Sequence, residues 1–257
     1  MLLTFDIGNS AVKGAIYEGD ECVQRMHFST DEIYSPTGIV DGLRLALDER
    51  SVSAVGYVSV VPVVVDRVQM AVQILLGLDM KKIDASSANP LKLDYDTPET
   101  LGSDRVAAVV AAHLLYGKTI DGTPRSVIVV DAGTAVTCDY VSHDGVYSGG
   151  SIGAGPAMIH DALYKSTAQL PKVELRIPNE FPGRTTRDSV QAGIMYGFLD
   201  SVSGIVRRIS DQVLDKPYVL ATGGWAGWLK EYCEEVDEED QDLVLHGVRL
   251  LMHYGGD

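Results

Sequence analysis

Asp6, Gly8, Asn9 and Ser10 stand together at the end of an apolar run, in the opening stretch MLLTFDIGNSAVK. Leu2-Leu3-Thr4-Phe5 has the length and residue types of a buried strand, and Val12 to Tyr17 reads as a strand that returns. The pattern is a hairpin whose tip carries a carboxylate. Gly8 and Asn9 tolerate positive φ and let backbone N–H groups face inward at the tip. Such a tip can wrap a phosphate, while Asp6 at the strand end can hold a hydrated Mg²⁺. The ordinary alternative is a hairpin closed by an Asx turn.

The unit comes back. SVIVV (126–130) is a second buried-strand run, followed by Asp131, Gly133, Thr134 and Ala135 and by a returning strand through Val136, Cys138 and Tyr140. Apolar strand, Asp, any residue, Gly, then small residues and a strand: this unit lies near the start of each half of the chain. Internal duplication of this kind marks a repeated architecture. A third glycine turn, Ala221-Thr222-Gly223-Gly224, follows the strand Tyr218 to Leu220. Two Asp-tipped hairpins followed by a late Gly-Gly turn resemble the actin-like, sugar-kinase and heat-shock ATPase superfamily. That resemblance implies two hairpins clamping ATP phosphates and metal from opposite sides of a cleft, with the late turn meeting the nucleoside.

Gly102-Ser103-Asp104-Arg105 is the second centre of chemistry. Ser103 can cap a helix, and Asp104 falls in its first turn, where the helix dipole favours a carboxylate. A carboxylate beside a bound alcohol can also accept the hydroxyl proton as that oxygen attacks a γ-phosphoryl group. Arg105 has the fork that suits bidentate carboxylate recognition; otherwise it is a surface cation or an ion-pair partner of Asp104.

The elements that must position these groups alternate. Cys22 to Ser29 reads as a strand, Gly38 to Arg50 as a helix, Ala54 to Val61 as a buried strand ending at Pro62, and Val63 to Leu78 as a helix. Lys81 to Pro98 is polar, holds two prolines and reads as a long loop. VAAVVAAHLLYG is a helix stopped at Gly117. Lys118 to Arg125, with Gly122 and Pro124, is the domain boundary, giving domains at 1–117 and 118–257. Beyond it lie two hairpin strands, a glycine-rich run from Gly145 to Gly155, a helix from Pro156 to Leu170 and a Pro-containing loop. A long amphipathic helix, Thr186 to Val213, carries Ala192, Gly193, Gly197 and Gly204. Such small residues serve dimerisation or internal packing equally. Strands alternating with helices predict an α/β sheet covered by helices.

Composition narrows the class. With 257 residues, 46% hydrophobic and 22% charged, the chain reads as a soluble globular protein of one or two domains. The net charge of −15, from 21 basic and 36 acidic residues, argues against nucleic acid as a partner. An acidic protein that binds ATP must supply local cations, which gives weight to Lys13, Arg105 and Mg²⁺. The acidic run Glu231 to Asp242 is a solvated helix end and loop. No apolar run approaches the ~20 residues that span a bilayer. The N-terminus reads into a strand without a basic flank, so no signal peptide is expected and a cytoplasmic location is. Cys22, Cys138 and Cys233 have no close spacing, which predicts reduced thiols rather than a disulfide framework or zinc site. The six histidines share no ligand spacing.

Together DIGNSAVK (6–13), the Tyr95 loop, GSDR (102–105), VVDAGTAVTCD (129–139), GGSIGAG (149–155), LPKVEL (170–175), TTRDSVQAGIMYG (185–197) and ATGG (221–224) resemble a type III pantothenate kinase, in order along nearly the whole chain. The resemblance implies transfer of the γ-phosphoryl of ATP to pantothenate, the first step of coenzyme A synthesis. It also implies a duplicated actin-like (ribonuclease H-like) fold of mixed sheets flanked by helices, assembled as a homodimer. By this match Asp6, Ile7, Gly8, Asn9, Ser10, Ala11, Val12 and Lys13 form the ATP phosphate motif, and Thr134 is a further ATP contact. Asp104 matches the general base. Tyr95, Gly102, Ser103, Asp104 and Arg105 match the pantothenate pocket, to which Thr186 is added from the partner subunit. Asp131 matches the ligand of a monovalent cation, K⁺ or NH₄⁺.

On the residues alone, Tyr95 could equally be a packing lid and Thr186 an N-terminal helix cap. Trp225 and Trp228, which follow the Gly-Gly turn, are placed either on adenine or in the core. The match has departures: GSDR for the usual GADR, DAGT for DFGT, and GSIGAG for a segment that normally carries Pro. Ser103 adds a hydroxyl and leaves the base alone, whereas Ala132 removes a bulky group beside the cation site.

Overall fold

The computed structural model describes residues 1–34 and 37–254. The chain forms two compact units, Met1–Leu115 joined by the stretch that begins at Asp242, and Tyr116–Gln241.

The first unit runs β1 (Leu2–Ile7), β2 (Ala11–Glu18), β3 (Glu21–Ser29), α1 (Thr30–Tyr34), α2 (Gly38–Leu47), β4 (Ala54–Ser59), α3 (Pro62–Leu76), β5 (Met80–Lys82), β6 (Lys92–Leu93) and α4 (Ser103–Ala111). Its sheet has the order β3-β2-β1-β4-β5. The hairpins β1–β2 and β2–β3 are antiparallel, while β4 and β5 add in parallel. Central β1 is buried at every residue except Asp6. A strand apolar at successive positions must have both faces covered. On one side Leu3, Phe5 and Ile7 share a core with Leu43, Val64, Val68 and Val72 of α2 and α3. Pro62 opens α3 at a position where its missing N–H costs nothing, and Gly77, at φ 66°, closes it in the left-handed region.

The second unit holds β7 (Val127–Ala132), β8 (Ala135–Val141), β9 (Val146–Ala154), α5 (Pro156–Ser166), α6 (Thr186–Ser210), β10 (Tyr218–Thr222), α7 (Ala226–Tyr232) and β11 (Glu238–Glu239). Within it the strands follow the order β11-β10-β7-β8-β9, with β7–β8–β9 antiparallel and β10 and β11 parallel. Each unit therefore repeats one plan: three antiparallel strands extended by parallel ones. The mixed α/β architecture expected from the duplicated motifs is the one observed.

Three elements differ from the sequence reading. The glycine-rich run 145–155, given no element by its composition, holds a strand, β9. Gly150 is there because a Cβ would lie 2.1 Å from the Cys138 carbonyl oxygen of the neighbouring strand. The polar stretch 81–98 starts inside β5, contains β6 and runs into a single turn of 3₁₀ helix at Pro98–Thr100. Lastly, the last described element is a helix, α8 (Leu243–Tyr254), that packs with the first unit, whereas the division 1–117 and 118–257 puts these residues in the second. Gly247 explains the attachment. A Cβ built on it would stand 1.9 Å from the Ala107 carbonyl oxygen, so α8 and α4 pass backbone to backbone. Among the described residues no helix is long and apolar enough to cross a membrane.

Candidate functional site

The first hairpin tip is a three-residue turn closed by the Gly8 N–H donating to the Ala11 carbonyl at 3.0 Å. Asp6 pairs across the ladder with Lys13, and Ile7 with Val12. Ile7 and Val12 are buried, Asn9 and Ser10 are exposed, and Asp6, Gly8, Ala11 and Lys13 lie between. Apolar anchors thus fix a tip whose polar atoms face outward. Neither Gly8 nor Asn9 takes positive φ. The turn is built without the left-handed geometry that the sequence allows.

The second tip is one residue tighter. Gly133 N–H donates to the Ala135 carbonyl at 2.9 Å, and Asp131 pairs with Thr137. Thr134 is exposed at its apex, and its carbonyl accepts from Gly155 N–H at 2.9 Å. Asp131, half-buried, is the penultimate residue of β7. The late glycine turn closes on it: a Cβ on Gly223 would sit 2.5 Å from Asp131 Oδ1 and 2.7 Å from the Ala132 carbonyl. Gly223 also takes φ 85°, and Trp225 N–H donates to that same carbonyl at 2.9 Å. Three motifs far apart in sequence (131–135, 153–155 and 221–224) therefore meet in the second unit. A carboxylate cradled by glycine suits a cation whose other ligands are water or substrate oxygens. Among the described residues no three His, Cys, Asp or Glu side chains gather as a metal cage.

In the first unit α4 opens at Gly102. Asp104 lies in its first turn and folds back, Oδ1 accepting from the Arg105 N–H at 2.8 Å. That carboxylate covers Gly102, where a Cβ would come within 2.5 Å of Oδ1. The Ser103 side chain does not cap the helix. It reaches β4, where its hydroxyl accepts from the Ser59 N–H at 3.0 Å and donates to the Ser59 carbonyl at 3.1 Å. Ser59 Oγ in turn donates to the Ile7 carbonyl at 3.1 Å. The GSDR turn is thereby tied to the strand that feeds the first tip. Arg105 is 9% exposed, which removes it from the class of surface cations. A cavity of about 500 Å³ opens beside this turn, lined by Ser59, Lys82, Asp84, Ser86, Gly102 and Ser103 among others.

Tyr95 is half-buried in the loop after β6. Thr186 is the exposed first residue of α6, and its neighbour Thr185 is the cap, accepting from the Asp188 N–H at 3.1 Å. Trp225 and Trp228, both half-buried, pack edge to face at 6.2 Å beside Phe198, against the apolar core. Ser59 was the residue missed. Its signal was a lone hydroxyl ending an otherwise apolar strand, directly before a Val-Val-Pro helix start.

Two mixed-sheet units, each with an Asp-tipped hairpin, give the chain a duplicated actin-like fold. The family model for type III pantothenate kinase matches residues 2–208. Curated relatives carry the same name: one from Brevibacillus brevis is 36% identical, the match covering 98% of both chains, and one from Geotalea uraniireducens is 33% identical over 98% of this chain and 97% of its own. The chain belongs to the type III pantothenate kinase family. Among solved structures, the activator of the 2-hydroxyisocaproyl-CoA dehydratase from Clostridium difficile with bound ADPNP superposes with a TM-score of 0.57 at 16% identity, covering 98% of this chain and 94% of that one. That likeness shows the fold.

Proposed function

We propose that this chain transfers the γ-phosphoryl of ATP to the primary hydroxyl of pantothenate, with Asp104 as general base. Family membership supports the reaction. The hydrogen-bonded path from Ile7 through Ser59 to Ser103 is the observation that carries the assignment of Asp104. Phosphoryl transfer asks little covalent chemistry of the protein; it asks for alignment and charge neutralisation. Asp104 takes the hydroxyl proton as that oxygen bonds to the γ-phosphorus and the bond to the ADP oxygen breaks. Oδ1 stays on the Arg105 N–H, so Oδ2 is the oxygen that meets the hydroxyl.

Residues 6–13 present main-chain N–H groups and Lys13 to the phosphates, and Thr134 adds an ATP contact. Mg²⁺ entering with ATP supplies charge neutralisation, with Asp6 as its carboxylate. Asp131, in its glycine cradle, holds the monovalent cation. Tyr95 and Gly102 to Arg105 bind pantothenate, and buried Arg105 receives its carboxylate. Thr186 reaches the pantothenate of a second copy. For a homodimer the support is α6: a Cβ on Gly193, Gly197 or Gly204 would meet nothing within 4 Å, leaving that helix an open face. The two compact units, Met1–Leu115 with the stretch from Asp242 and Tyr116–Gln241, are then the two actin-like halves, the second with the dimerisation helix, and the location is cytoplasmic.

The test is ATP consumption with pantothenate against a panel of sugars, with and without K⁺. Pantothenate-dependent, K⁺-stimulated turnover is expected, and ATP loss independent of pantothenate, or none, contradicts the reading.

A further inference from the structure

Ser59 is the last residue of β4 and stands opposite Ile7 in the parallel register with β1. Its hydroxyl donates to the Ile7 carbonyl at 3.1 Å and accepts from the Val61 N–H at 2.9 Å. Its main-chain N–H and C=O are both taken by the Ser103 hydroxyl, at 3.0 and 3.1 Å. One residue thus joins the strand before the first hairpin tip, the entry to α3 and the first residue of α4. Each hydroxyl has its single proton committed and a lone pair engaged, so neither can swing without breaking two bonds.

Asp104 is the next residue after Ser103. A shift of the first turn of α4 therefore carries the carboxylate with it, since Asp104 is held to that same turn by its Oδ1 contact to Arg105. The rest of α4 offers no compensating freedom, because Val106 to Ala111 are all buried. We infer that Ser59 is a positioning residue for phosphoryl transfer: with Ser103 it holds Asp104 at a fixed setting relative to the Gly8–Ser10 tip. The inference rests on Asp104 being the general base. An error of 1 Å in such a setting can cost up to about 10²-fold in rate.

The test measures kcat, KM for ATP and for pantothenate, and Tm for Ser59→Ala, Ser59→Thr and Ser103→Ala, each alone and with Asp104→Asn. Ser59→Ala is expected to lower kcat about 10-fold while KM for ATP moves less than about 2-fold. Ser59→Thr, which keeps the hydroxyl, recovers most of kcat. Ser103→Ala returns the segment to GADR, keeps the Ile7 link and loses about 3-fold. In the Asp104→Asn background Ser59→Ala causes no further loss, because it acts through that carboxylate. A folded Ser59→Ala enzyme at full kcat overturns the brace, as does an undiminished 10-fold loss without Asp104. Should Ser59→Ala not fold, Ser103→Ala decides by the same two criteria. Full turnover by Asp104→Asn alone overturns the base assignment and the brace with it, whereas the first two outcomes leave the base standing.

Discussion

Asp104 Oδ1 occupies the space in which a side chain at position 102 would begin, 2.5 Å from a Cβ built on Gly102. Glycine is therefore needed here for room rather than for an unusual backbone angle, because Gly102 sits at an ordinary φ of −56°. Gly102→Ala would drive the carboxylate off its Arg105 contact while the helix itself survives. We predict a fall in kcat of about 10-fold with Tm within about 3 °C of the parent. Steady-state kinetics beside a thermal melt separates this from simple unfolding.

Gly247→Ala should fail differently. Its Cβ would meet main chain, the Ala107 carbonyl at 1.9 Å, and neither buried helix can swing a side chain aside. Forcing α8 from α4 should cost about 3 kcal/mol or more and lower Tm by at least about 5 °C. A calorimetric scan checks it, and an unshifted Tm would mean the two helices do not touch as described.

The repeated Asp-tipped turns were legible because their chemistry is local: strand, carboxylate and glycine lie within ten residues. The cradle around Asp131 was half legible. Gly223 could be picked out in a glycine turn and Gly155 in a glycine-rich run, but that both close on one hairpin depends on the pairing of β10 with β7 and of β9 with β8, which no local pattern encodes. The strand at 146–154 was hidden because five glycines and serines within it mimic a loop. Helix α8 carries a clear apolar periodicity, yet its side of the fold was decided by Gly247, whose role appears only against Ala107. Ser59 was invisible as a functional residue since its partners, Ile7 and Ser103, lie 52 and 44 positions away. Thr185 rather than Thr186 caps α6, a one-residue difference that sequence spacing cannot resolve.

Asp84, on the wall of the cavity beside Gly102, carries a pH signature. The Ser86 hydroxyl at 2.6 Å, with the Ser86 N–H at 3.0 Å and Lys82 Nζ at 3.1 Å, holds its carboxyl below the usual carboxylate value. A depressed folded value stabilises the native state above the unfolded carboxylate range, near pH 4, and that contribution is lost as pH falls through the lower folded value. Asp84→Asn is thus expected to lower Tm by about 2–4 °C at pH 7. The gap to the parent should close on titration toward pH 3; a gap that widened in acid would contradict this arrangement.

The three thiols should separate cleanly. Burial pushes Cys138 up to about 12, and burial likewise raises Cys233, whose Sγ lies 3.3 Å from Ser203 Oγ. Both remain neutral thiols at pH 8 and are screened from reagent. Cys22, only half-buried, is the site that iodoacetamide reaches in the native protein. Mass spectrometry should find Cys22 alone labelled natively and all three labelled in denaturant; native labelling of Cys138 would contradict the packing of β8.

The account turns on the carboxylate at the head of α4. Single-turnover and steady-state kinetics of Asp104→Asn, with ATP binding measured in parallel, test it most directly. The expected result is a loss of at least about 10²-fold in turnover with ATP affinity and Tm retained. Turnover at the parent rate by a folded Asp104→Asn enzyme would remove Asp104 from the reaction and contradict the account.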